Sequence, residues 1–103
     1  MKLLIDTQVM LWSFFDHARL GSRQRQLIQE NAGRCWVSIA SPWETEIKRA
    51  LGKLNAPDDV AGAIALFGWH LLPIRIEHTR AIGRLPHIHG DPFDRMLVAQ
   101  AQT

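Results

Sequence analysis

The chain has 103 residues, 47% of them hydrophobic, and a formal net charge of +2 at pH 7. A chain of this length buries roughly two-thirds of its unfolded surface, which is sufficient for one domain with a hydrophobic core. The single cysteine, Cys35, excludes an internal disulfide, and the absence of any run of about 20 apolar residues excludes a transmembrane helix. The mildly basic charge permits nucleic acid as a partner without requiring it. From the single cysteine and the lack of a transmembrane run, we expect a cytoplasmic protein.

Three short apolar runs have the pattern of strands that are buried on both faces. They are residues 2–6, 35–41 and 70–74. Between and after them, the spacing of apolar residues and of capping residues predicts helices that begin near positions 7, 22, 42, 57, 77 and 91. This alternation predicts an α/β fold with a parallel sheet and helices on both of its faces.

The segment that opens the helix after the second strand has the pattern of a capping box. Ser41 is the predicted N-cap residue, and Glu44 lies three positions later, where its carboxylate can return a hydrogen bond to the backbone. Lys48 follows four positions after Glu44, a spacing typical of a surface ion pair. We expect the apolar stripe of this helix, which includes Trp43 and Ile47, to face the core.

The last predicted helix starts in the same way, at the sequence DPFD. Asp91 is its predicted N-cap residue, and Asp94 lies in its first turn. Asp94 also shares a helical stripe with Leu97, Val98 and Ala101, so we expect its carboxylate to point toward the sheet. A carboxylate in that position needs a partner, because burying an unpaired charge is costly.

Asp6 ends the first predicted strand, at the edge of a parallel sheet where ligands commonly bind. A plain helix cap is the alternative role for this residue. If Asp6, Glu44 and Asp94 converge at that edge, each pair ~4 Å apart repels by roughly 4 kcal/mol at an effective dielectric constant of 20. Only a cation would keep three such groups ionised, and oxygen ligands favour Mg²⁺ or Mn²⁺. The chemistry indicated is metal-assisted hydrolysis of a phosphodiester.

Four segments of the chain resemble PIN-domain ribonucleases of the VapC type, the toxins of bacterial toxin–antitoxin pairs. These segments are LLIDTQVMLW, VSIASPWETEIKRALGKL, LLPI and HGDPFDRMLVAQA, and they occur in family order. The resemblance implies a three-layer fold with a central parallel β-sheet flanked by helices. It also implies a Mg²⁺- or Mn²⁺-dependent endoribonuclease in which a metal-activated water attacks RNA.

The resemblance assigns roles to five residues of this chain. Asp6, Glu44 and Asp94 match the family's catalytic metal ligands, and Asp91 matches a frequent additional acid beside them. Thr7 matches the hydroxyl residue that follows the first acid and orients the ligands. The partners implied are a cognate antitoxin, an RNA substrate such as tRNA or another structured RNA, and a second copy in a homodimer, with no membrane.

The chain departs from the family pattern at its end. Family members continue into further strands, one of which supplies a fourth acid, whereas this sequence stops at Thr103. We therefore expect residues 1–103 to form a single PIN-like domain that lacks its last strands and is incomplete at its C-terminus. A catalytically inactive fragment that retains antitoxin binding is accordingly an alternative to the active nuclease.

Two other Asp-centred α/β folds fit less well. A phosphatase of the haloacid dehalogenase type needs a second aspartate two positions after Asp6, where this chain has Gln8. A phosphoacceptor receiver domain needs an aspartate at the end of a later strand, and the second and third predicted strands have none. His87 and His89 precede the last acids, and we expect them to be solvated loop residues, with contact to the substrate as the alternative.

Overall fold

A computed structural model of the protein describes residues 2–54, 56–86 and 90–103. Its strands are β1 (Leu3–Ile5), β2 (Cys35–Ser38) and β3 (His70–Leu72). Its α-helices are α1 (Thr7–Phe15), α2 (Ser22–Glu30), α3 (Ala40–Ala50), α4 (Val60–Leu66), α5 (Ile76–Arg84) and α6 (Pro92–Gln102). A 3₁₀ turn at His17–Arg19 joins α1 to α2. Within the described ranges, no helix is long and apolar enough to cross a membrane.

The three strands form one parallel sheet in the order β1-β2-β3. Leu4 lies opposite Trp36, which in turn lies opposite His70. Because the strands run in the same direction, each must be reached through a helical connection, as the alternation of predicted elements required. The predicted α/β fold, a parallel sheet flanked by helices, is confirmed.

The core lies where α1 and α4 pack against the sheet. Met10, Val37 and Ile64 are at most 1% exposed, and Trp69 closes the cluster beside them. Gly33 and Gly68 each have a positive φ, two or three residues after the end of a helix and two residues before a strand. Glycine adopts this left-handed conformation without a steric penalty, which lets the chain end a helix and turn into the sheet.

The beginning of α3 differs from the predicted capping box. The helix starts at Ala40, and Ile39 before it already has helical backbone angles. The hydroxyl of Ser38 accepts a hydrogen bond from the Ala40 amide at 3.0 Å. The predicted cap residue, Ser41, is instead fully buried inside the first turn. The prediction failed because β2 continues almost directly into α3, so the helix begins before the residue with the best capping chemistry.

The orientation of α3 is also the reverse of the prediction. Glu44 and Thr45 are buried, whereas Trp43 is 54% exposed and Ile47 and Leu51 are exposed as well. Polar residues recur along this helix at the same spacing as the apolar ones, so two stripes compete for the core. The polar stripe occupies it because it finds hydrogen-bond partners there.

The prediction that Asp94 lies on a buried stripe of α6 was wrong. The buried residues of this helix include Met96, Leu97 and Gln100, whereas Asp94 and Val98 are exposed. Polar contacts fix the rotation of the helix. The Gln100 amide donates a hydrogen bond to the carbonyl of Pro73 at 3.2 Å. The Arg95 guanidinium donates to the carbonyls of Ile82 in α5 and of Pro86 in the loop that follows. Asp94 therefore lies on the exposed face of the helix.

Candidate active site

Asp6 lies at the carboxyl end of β1, as the sequence predicted. Its backbone is extended, and its Oδ1 atom accepts a hydrogen bond from the Val9 amide at 2.7 Å. The residue therefore caps α1, and its side chain is exposed at the edge of the sheet. A capped helix start holds a carboxylate in a fixed orientation, so the capping role is compatible with a role in binding.

Glu44 is the buried acid of the site, with a relative exposure of 4%. Its Oε2 atom forms a salt bridge with Nζ of Lys48 at 2.5 Å, one turn further along α3. Its Oε1 atom is buried and makes no hydrogen bond within the described part of the chain. Leaving a buried carboxylate oxygen without a partner is costly, so this atom is the strongest structural indication that the site fits a cation.

Thr7 and Ser41 connect α1 to α3 directly behind these acids. Their hydroxyl groups share a hydrogen bond of 2.8 Å between residues that are 34 positions apart in sequence. Thr45 donates to the Ser41 carbonyl at 2.8 Å and continues the buried polar row. Sequence reasoning identified Thr7 but assigned Ser41 to a cap, and no local pattern would have revealed that the two side chains meet.

Asp91 caps α6, as predicted, by accepting a hydrogen bond from the Phe93 amide at 2.8 Å. Phe93 then contacts Trp43 of α3 edge to face, with ring centroids 4.9 Å apart. This aromatic contact brings the beginning of α6 against α3, the helix that carries Glu44. Asp94, one turn into α6, is thereby placed near the other acids.

The charges of these acids interact. Partial desolvation raises the pKa of Asp94, and repulsion from Asp91, Glu44 and Asp6 raises it further, while Lys48 opposes the shift. The hydrogen bond to Glu44 raises the pKa of Lys48, and attraction to Glu44, Asp91 and Asp94 adds to it against a desolvation penalty. The predicted ligands therefore lie in one electrostatic field, with Lys48 as a cation among them.

The arrangement is not a finished cage for a metal ion. In residues 2–54, 56–86 and 90–103, no three His, Cys, Asp or Glu side chains form a group that could hold one as they stand. Asp6 and Asp91 each use an oxygen as a helix cap, and Glu44 uses one for Lys48. The donor set itself, carboxylates with one unpartnered buried oxygen, fits a hard divalent cation once side chains adjust. His87 and His89 lie outside the described residues.

Comparison with known families gives one match. A sequence model described as PIN domain matches residues 3–103, a range that includes all four acids of the site. A search of curated proteins found no significant match to the chain. The match therefore supports membership of the PIN-domain family, and no named relative indicates a subfamily within it.

Proposed function

The chain belongs to the PIN-domain family, whose members are generally metal-dependent nucleases, and from this premise we propose that it is an endoribonuclease that uses Mg²⁺ or Mn²⁺. The observation that carries the proposal is the buried Glu44 carboxylate. Its Oε1 atom has no partner among the described residues, and Asp6, Asp91 and Asp94 share its electrostatic field. The positive charge of Lys48 balances only one of these four carboxylates, and a divalent cation would balance more of their charge.

The proposed ligands of the ion are Asp6, Glu44 and Asp94, with Asp91 beside them. A bound Mg²⁺ or Mn²⁺ provides an activated water and neutralises charge that develops on a phosphodiester. The protein's contribution is to hold the carboxylates at fixed angles, which the caps of Asp6 and Asp91 do. Thr7, tied to α3 through Ser41, would keep the first turn of α1 in register with Glu44.

We also propose that the protein acts as the toxin of a toxin–antitoxin pair and forms a homodimer. The toxin role rests on the resemblance of the sequence to VapC-type toxins, and the interface is supported by the α3 stripe, which we define as Ile39, Trp43, Ile47 and Leu51, all exposed. These residues recur every four positions and form one apolar row along the helix. A contiguous apolar row on a protein surface is typical of an interface with another protein.

RNA cleavage in the presence of Mg²⁺ or Mn²⁺ tests the proposed activity. Wild type is compared with Asp6→Asn and Asp94→Asn on a structured RNA such as tRNA, with Asp58→Asn, an exposed acid outside the site, as the matched control. We expect wild type and the control to cleave and the two site variants to lose activity. Cleavage that survives both site substitutions or persists in EDTA would contradict the proposal.

A second candidate function is binding without catalysis, in which the chain retains an antitoxin-binding surface only. The observation that favours it is that the described acids do not form a ready metal cage. Calorimetric titration with Mn²⁺ separates the two candidates. Heat of binding that disappears in Asp94→Asn supports the nuclease, whereas no binding to wild type would leave the acids with structural roles only and favour the binding protein.

A further inference from the structure

Lys48 lies where a metal ion is expected. Its ammonium group is 2.5 Å from Oε2 of Glu44 and is attracted electrostatically to Asp91 and Asp94 as well. Glu44 and Asp94 are proposed ligands of the ion, with Asp91 beside them, so the lysine is paired with one of the carboxylates that would hold the ion.

The two side chains of this pair differ in their freedom to move. The Glu44 side chain is 5% exposed and is held within the packed face of α3, whereas the Lys48 side chain is 42% exposed. Lysine carries its charge on a flexible four-carbon stem and can reach solvent without moving the backbone. A competing cation would therefore displace the lysine and leave the glutamate in place.

We propose that Lys48 is a built-in competitor for the metal ion, pairing with Glu44 in the metal-free protein and moving toward solvent when the ion binds. This inference rests on the proposed metal site. The support is the pair itself, because a cation held by the Glu44 carboxylate would meet the ammonium charge that already lies against its Oε2 atom. Two cations cannot share that space without strong repulsion.

Metal affinity measures the competition directly. Mn²⁺ is titrated by calorimetry into wild type, Lys48→Met, and Lys53→Met, the last removing the same charge from an exposed lysine just beyond α3. We expect Lys48→Met to bind Mn²⁺ about two- to fivefold more tightly, because the ion no longer has to break the partly exposed ion pair between Lys48 and Glu44. Lys53→Met is expected to bind like wild type.

The position of the ammonium group is tested by acetylation with and without Mn²⁺, followed by mass spectrometry. The sequence contains three lysines, and the exposed Lys2 and Lys53 serve as internal references for Lys48. An amine held by a carboxylate reacts slowly with an acylating reagent. We therefore expect Mn²⁺ to increase the acetylation of Lys48 relative to the other two.

The outcomes are distinguishable from failure of the metal site itself. If wild type binds no Mn²⁺, the proposed function fails. If wild type binds Mn²⁺ but Lys48→Met binds it equally or more weakly, the competitor inference is overturned, and weaker binding would mean that Lys48 orients Glu44 instead. Should Lys48→Met not fold, Lys48→Arg and the acetylation experiment decide. The arginine variant keeps the charge and is expected to bind like wild type, and unchanged acetylation would refute displacement.

Discussion

Replacing Asp94 by asparagine removes one carboxylate from the candidate site while keeping the shape of the side chain. In the metal-free protein, partial desolvation raises the pKa of this carboxylate above the ordinary value of 3.8, and repulsion from Asp91, Glu44 and Asp6 raises it further. Because Asp94 is exposed, the repulsion is screened, and we expect Asp94→Asn to stabilise the domain by about 0.5 kcal/mol at pH 7. For a domain of this size, that gain raises Tm by roughly 2–4 °C.

The dependence on pH follows from the direction of the pKa shift. A folded-state pKa above the unfolded value means that the folded protein binds the proton more tightly, so stability falls as pH rises through the window between the two values. The advantage of Asp94→Asn should therefore be full at pH 7 and shrink as the pH is lowered toward 4. Thermal unfolding in EDTA at both pH values measures it, and Asp58→Asn is the control. No stabilisation at pH 7, or a gain that does not depend on pH, would refute the electrostatic argument.

Three further substitutions test the packing around the site. Thr7→Val should destabilise the protein by about 1–3 kcal/mol, because the buried Ser41 hydroxyl loses its hydrogen-bond partner. Urea unfolding measures this loss, and an unchanged midpoint would mean that the hydrogen bond contributes nothing to stability. Asp91→Asn keeps a side chain that can cap α6, so its free energy of unfolding, measured by chemical denaturation, should be about 1 kcal/mol higher than that of Asp91→Ala. Equal stabilities of the two variants would argue against the cap. Trp43→Ser should shift a dimer toward monomer in light scattering, whereas an unaltered mass would exclude the α3 stripe from a dimer interface.

The strands and the acids at their ends could be predicted because their signals are local. A continuous apolar run marks a strand in a parallel sheet, and an aspartate before a helix marks a cap, so the positions of Asp6 and Asp91 followed from a few neighbouring residues. The family resemblance then connected these acids with Glu44 and Asp94. The family itself is confirmed, while the roles of these residues stay predictions.

The burial of α3 and α6 could not be predicted because it depends on partners that are distant in sequence. Ser41 is buried with Thr7 as its partner, and Gln100 is buried against the Pro73 carbonyl. The spacing of apolar residues identifies an apolar stripe on a helix. It does not show whether a polar stripe on the same helix meets hydrogen-bond partners on other elements of the fold. For the same reason, Lys48 looked like an ordinary surface partner until Glu44 proved to be buried.

The register of the sheet has a consequence for how the protein folds. Leu3 pairs with Cys35 and Trp36 with His70, so each strand pairing joins residues more than 30 positions apart. Such a pair cannot close locally as a hairpin does, and the entropy of a long loop must be lost before any contact in the sheet compensates for it. During synthesis, β1 emerges before β2, and it must stay unpaired until α1 and α2 have followed. We therefore expect the helices to form first and the sheet to set the folding rate.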